Sequence, residues 1–128
     1  MSKKINSCNR TIMIIEDDID IRETLQEILE SENYKVVTAS NGKEALELLK
    51  TTIDQPRLVL LDMMMPVMNG YDFLKIVTND TILAAIPVYI HSANYEVENL
   101  KGVKGILRKP ASCEAILSLV KSYCGKDN

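Results

Sequence analysis

The chain has 128 residues, which suits a single domain, and 46% of them are apolar, too many for a disordered tail. A formal net charge of -3 offers no basic field for nucleic acid, and no apolar run approaches the roughly 18 residues of a membrane span. The polar start Met1-Ser2-Lys3-Lys4 lacks the apolar segment of a secretory signal, and the scattered cysteines, Cys8, Cys113 and Cys124, suit reduced thiols rather than a disulfide or zinc framework. These readings lead to the expectation of a cytoplasmic protein with neither nucleic acid nor membrane as partner.

Residues 1–10 read as a loose tail, 11–124 as the domain and 125–128 as a second tail. Thr11-Ile12-Met13-Ile14-Ile15 is an apolar run ended by Glu16-Asp17-Asp18, so it reads as a buried strand. Asp18 suits the cap of a helix over about 18–32, where Ile21, Leu25, Ile28 and Leu29 fall on one stripe. Lys35 to Ala39 forms a second strand, Ser40-Asn41-Gly42 a turn and cap, and Glu44 to Lys50 a second helix broken at Gln55-Pro56. Leu58-Val59-Leu60-Leu61 is the central strand and runs straight into Asp62. Pro66 to Gly70 turns the chain into a helix from Tyr71 to about Thr78 that buries Phe73, Leu74 and Val77. Pro87 to Ile90 and Lys104 to Leu107 are the fourth and fifth strands. Ser112 caps a last helix with Ile116, Leu119, Val120 and Tyr123 on one face.

Strands that are apolar throughout, alternating with helices, indicate a parallel sheet covered on both faces. Ligands of such sheets sit beyond the carboxyl ends of the strands, at the switch point of strand order. The residues just past the strands are Glu16, Asp17 and Asp18, then Asp62, Ser92 and Lys109. An acid cluster without a histidine and cysteine set favours a hard oxygen-seeking ion, magnesium. A carboxylate, a metal, a hydroxyl and an ammonium together suit a phosphoryl group carried on Asp62, since phosphoryl transfer needs mostly positioning and charge neutralisation. Each residue also has a structural reading: Glu16 and Asp17 as a first-turn acid cluster, Ser92 as a turn hydroxyl, Lys109 as a surface charge. His91 reads as a structural strand-end residue, and Met63 and Met65 as packing.

Four motifs in order carry a family resemblance: Ile14-Ile15-Glu16-Asp17-Asp18, Leu60-Leu61-Asp62-Met63-Met64-Met65-Pro66-Val67-Met68-Asn69-Gly70, His91-Ser92-Ala93 and Arg108-Lys109-Pro110. Together, over about residues 11–124, the chain resembles the receiver domain of two-component response regulators. The resemblance implies a flavodoxin-like, doubly wound, five-stranded parallel sheet of order 2-1-3-4-5. By position it implies that Asp62 is the phosphorylated aspartate, Asp17 a direct ligand of Mg2+ (or Mn2+), Glu16 a ligand through water, and the backbone carbonyl of Met64 a third protein ligand. It also implies that Ser92 follows the phosphoryl group, that Lys109 pairs with its oxygens, and that the Lys109-Pro110 bond is cis. The donor it implies is a histidine kinase or a phosphotransfer protein. The module would signal by protein contact rather than as an enzyme; the alternative is a receiver-like scaffold that is not phosphorylated.

The chain departs from the family pattern on one surface. Ser92 and Lys109 are only 17 positions apart, so the helix between the fourth and fifth strands is expected to be short or missing. Ile106 stands where the family usually has an aromatic ring, and Ala111 where Phe commonly follows Lys-Pro. Output is therefore expected to use a different face or a smaller change. The polar start and end lead to the expectation of a single-domain regulator rather than a piece of a larger protein.

Overall fold

In the computed structural model, residues 10–52, 54–93 and 100–124 are described. The elements in chain order are β1 (Thr11–Ile15), α1 (Ile19–Glu30), β2 (Lys35–Ala39), α2 (Gly42–Thr51), β3 (Leu58–Leu61), α3 (Gly70–Thr78), a short 3-10 turn (Leu83–Ala85), β4 (Val88–Ser92), β5 (Val103–Arg108) and α4 (Cys113–Cys124). The five strands pair in parallel in the order β2-β1-β3-β4-β5. This is the doubly wound, flavodoxin-like α/β fold, with the reversal of strand order lying between β1 and β3.

The core has two layers because successive strand side chains point to opposite faces. Met13, Ile15, Val59 and Leu61 pack with Ala45, Leu49, Phe73 and Val77 under α2 and α3. Ile12, Ile14, Leu58 and Leu60 pack with Leu25, Leu29, Ile116 and Val120 under α1 and α4. The stripe expected on α1 is present: Leu25 and Leu29 are buried, with Ile21 packed against the same cluster. The last helix buries Ile116, Val120 and Cys124, while Leu119 and Tyr123 are half-buried. Cys113 and Cys124 are free thiols.

Helix starts follow local hydrogen bonding. Asp18 Oδ1 accepts from the Asp20 and Ile21 N–H groups, so Asp18 is the cap and α1 begins at Ile19. Asn41 caps α2, Asn69 caps α3, and Ser112 Oγ accepts from Ala115 N–H at the start of α4. α1 ends at Glu30, earlier than expected, because Ser31 already serves as its C-cap and Asn33 takes a positive φ of 68°.

Several sequence expectations are corrected at the edges. β4 starts at Val88 and continues through His91 and Ser92, and β5 runs from Val103 to Arg108. The strands are not uniformly buried: β5 alternates half-buried with exposed residues and β2 is mostly half-exposed. Both are edge strands, covered less completely than β1 and β3, and β5 keeps Lys104, Ile106 and Arg108 outward. The expected short helix after β4 falls on residues 94–99, outside the described residues, as do the expected tails apart from Arg10. Leu100 to Gly102 is a non-helical turn leading into β5, with Gly102 at φ 88°.

Gly70 joins the fold to the site. A Cβ there would lie 2.8 Å from Met63 Cα and 2.9 Å from the Asp62 carbonyl oxygen, so only glycine lets α3 start so close to the end of β3. Both contacts are backbone, which cannot swing aside. Gly70→Ala is expected to lower the unfolding free energy in a urea titration by about 1–3 kcal/mol; an unchanged midpoint would contradict this packing.

Candidate functional site

Three strands deliver their next residue to one edge of the sheet, each held by a parallel ladder bond beyond the strand end. Glu16 N–H donates to the Ala39 carbonyl at 2.9 Å, Asp62 N–H to the Ile15 carbonyl at 2.9 Å, and Lys109 N–H to the Ser92 carbonyl at 3.0 Å. Ser92, itself buried, is the register partner of Arg108. Glu16, Asp62, Ser92 and Lys109 therefore come from separate strands, and backbone pairing sets their positions.

The acids meet. Glu16, Asp17 and Asp62 each place a carboxylate oxygen within 4.8 Å of the other two. Glu16 and Asp62 are buried and Asp17 is exposed. The Lys109 ammonium lies 2.7 Å from Glu16 Oε1 and 3.6 Å from Asp62 Oδ1, so it bridges the two buried carboxylates and stands closer to Glu16. Glu16 Oε2 accepts from Asp18 N–H at 3.2 Å, and Asp62 Oδ1 from Met64 N–H at 3.5 Å. The Lys109-Pro110 bond is cis.

Burial dominates the electrostatics. It pushes Glu16 up to about 7, against the hydrogen bond from Lys109 and with the charge of Asp62 adding to the rise. Burial also raises Asp62, opposed first by the charge of Lys109. Two carboxylates largely out of water share one ammonium, which is too little positive charge for both. A divalent cation among the three acids would supply the rest. The donor set is all oxygen and partly open to solvent at Asp17, which matches the coordination habits of Mg2+ or Mn2+.

Met64 is 67% exposed, whereas Met63 and Met65 on either side are buried in the core. Val67, in the same loop, is exposed and takes φ 66°, a left-handed conformation that β-branched residues rarely adopt. The sequence reading passed over Arg22, whose Nη1 donates to the Glu16 carbonyl at 2.8 Å and to the Asp17 carbonyl at 3.5 Å, tying α1 to the acid loop. A lone arginine on an exposed helix turn carries no sequence signal for that contact. His91 occupies the strand-end position expected of it. It is 5% exposed, its Nε2 is buried without a hydrogen-bond partner, and burial, then the nearby Lys109 charge, lowers its pKa to about 4.

Comparison with known proteins gives a consistent set. The sequence model of the response regulator receiver domain matches residues 12–121. The transcriptional regulatory protein CrdR of Helicobacter pylori is 32% identical over 123 residues, 92% of this chain but 56% of CrdR, so the chain spans little more than half of that relative's length. An uncharacterized 14.6 kDa protein of Leptolyngbya boryana is 31% identical over 118 residues, 88% of each. The receiver domain of the Francisella response regulator 1452 superposes with a TM-score of 0.79 at 29% identity, covering 90% of this chain and 96% of that one. Among the described residues no helix is long and apolar enough to cross a membrane.

The raised Glu16 carboxyl has a consequence for stability. Between its ordinary 4.5 and about 7, the folded chain holds a proton that the unfolded chain has released. Stability therefore falls as pH rises through that window, and the raised Asp62 acts with the same sign. With divalent metal removed by EDTA, urea unfolding from pH 5 to 7.5 is expected to show this loss, and Glu16→Gln to remove most of it. Stability that rises across the window, or a loss unchanged by Glu16→Gln, would contradict the burial account.

Proposed function

The chain belongs to the response regulator receiver domains of two-component signalling, and from that premise we propose that Asp62 is its phosphoryl acceptor. The observation that carries this reading is the meeting of Glu16, Asp17 and Asp62 within 4.8 Å at the switch point of the sheet, with the Lys109 ammonium already between two of them. The donor is a phosphohistidine of a histidine kinase or phosphotransfer protein. An Asp62 carboxylate oxygen attacks phosphorus, the phosphorus–nitrogen bond breaks, and the imidazole leaves with the bond's electron pair. The product is an acyl phosphate on Asp62.

Mg2+ (or Mn2+) would be held by Glu16, Asp17, Asp62 and the Met64 carbonyl, and when bound it supplies charge neutralisation for the incoming phosphoryl oxygens. Lys109 leaves Glu16 for a phosphoryl oxygen, since the metal takes over neutralising the acids. Ser92, at the end of the neighbouring strand, offers its hydroxyl to another phosphoryl oxygen. The ladder bond from Lys109 N–H to the Ser92 carbonyl holds these two responders in fixed register. A change in both is what lets phosphorylation favour one conformation over another, because a switch requires contacts that differ between its states. Output passes by protein contact, and Ile106 presents an aliphatic side chain at the outer surface of β5.

Acetyl phosphate with magnesium tests the acceptor. Intact-mass measurement is expected to show the gain of one phosphoryl group, lost with EDTA and lost in Asp62→Asn. A native chain that gains nothing would favour a scaffold that is not phosphorylated, and a gain that survives in Asp62→Asn would place the acceptor elsewhere. A second expectation concerns Met64, two residues beyond the acceptor. Its apolar side chain leaves attacking water without a polar guide, so the native acyl phosphate is expected to outlive that of Met64→Asn by roughly threefold or more. Equal decay rates would contradict that role.

A further inference from the structure

A groove of about 470 Å³ runs between α1 and the start of α4, separated from the acid cluster by the side chain of Lys109. Its walls are apolar: Ile21 and Ile28 from α1, Ala111 and Ile116 from the other side. Ala111 leaves open the volume a larger side chain would fill. At its inner end lies His91, more than nine-tenths buried, whose Nε2 has no hydrogen-bond partner. A buried polar nitrogen left unpaired is costly, and such atoms are normally matched by protein, water or ligand.

We propose that this groove binds a small neutral molecule with an apolar body and a hydroxyl group, the hydroxyl bonding His91 Nε2. Three observations select that chemistry. The volume lies in the range of small-molecule sites, roughly 300–1,000 Å³, and the mix of apolar walls with a single inward polar atom is their usual composition. The rim carries both signs, Asp20 and Lys109, and the Lys109 charge is engaged by Glu16 and Asp62, so no net field selects an ion. The imidazole is neutral at pH 7, and a hydroxyl can donate to Nε2 or accept from it, whichever tautomer is present. A water molecule alone would satisfy the nitrogen but leave the apolar walls in contact with solvent.

The test uses p-cresol as probe and toluene as its counterpart without the hydroxyl, on the full chain, followed by isoleucine-methyl and histidine-ring NMR. p-Cresol is expected to give saturable shifts at Ile21, Ile28, Ile116 and the His91 ring, with toluene roughly fivefold weaker. In His91→Leu, an apolar replacement in apolar surroundings, the two probes are expected to bind alike. Ala111→Phe, which fills the groove, is expected to lose both. The proposal is overturned if p-cresol gives no saturable shifts at these methyls, if toluene binds the native chain as tightly, or if a folded His91→Leu keeps the preference. Ala111→Phe that is folded and still binds p-cresol at these methyls would overturn it as well.

Discussion

Lys109 Nζ stands between two carboxylates that are almost out of water, 2.7 Å from Glu16 and 3.6 Å from Asp62. One ammonium cannot fully offset two desolvated acids, and the rise of Glu16 to about 7 is the trace of that imbalance. A receiver domain makes use of the deficit. Groups that are uncomfortable in the resting chain have the most to gain from a divalent cation, and Lys109 then becomes available for a new anionic partner.

The sheet holds this arrangement together. Parallel pairing continues one residue past the ends of β1, β3 and β5, through the N–H groups of Glu16, Asp62 and Lys109. The acids and the lysine are thus clamped by backbone rather than by their own flexible side chains, which is how a site of long side chains gains precision. Gly70 lets α3 begin against the end of β3, and Arg22 ties α1 to the acid loop, so the elements flanking the site are fastened to it on two sides. These features link core packing to the geometry at Asp62.

Much of this was legible in the amino-acid order because the signals were local. Each key residue directly follows a short apolar run: Glu16 after Ile15, Asp62 after Leu61, Lys109 after β5. The caps at Asp18, Asn41 and Ser112 are short-range hydrogen bonds with compositional signatures. Long-range contacts were not legible. The close approach at Gly70, the reach of Arg22 to two carbonyls and the unpartnered nitrogen of His91 depend on how separate elements pack. The half-exposed edges of β2 and β5 were missed for a related reason, since apolar content alone does not reveal which strand lies at the end of a sheet. The departure at Ala111 was visible as a missing aromatic residue, while the groove it opens beside His91 needed the packed structure.

The central claim is that the acid cluster, metal and Lys109 together form a site for a phosphoryl group on Asp62. Fluorine NMR with beryllofluoride, which mimics the phosphoryl group on a carboxylate, tests it most directly. The account predicts bound fluorine resonances that form only with Mg2+ or Mn2+ present and disappear in Asp62→Ala. Bound resonances that are indifferent to metal or survive in Asp62→Ala, or none at all in the native chain with metal, would contradict it.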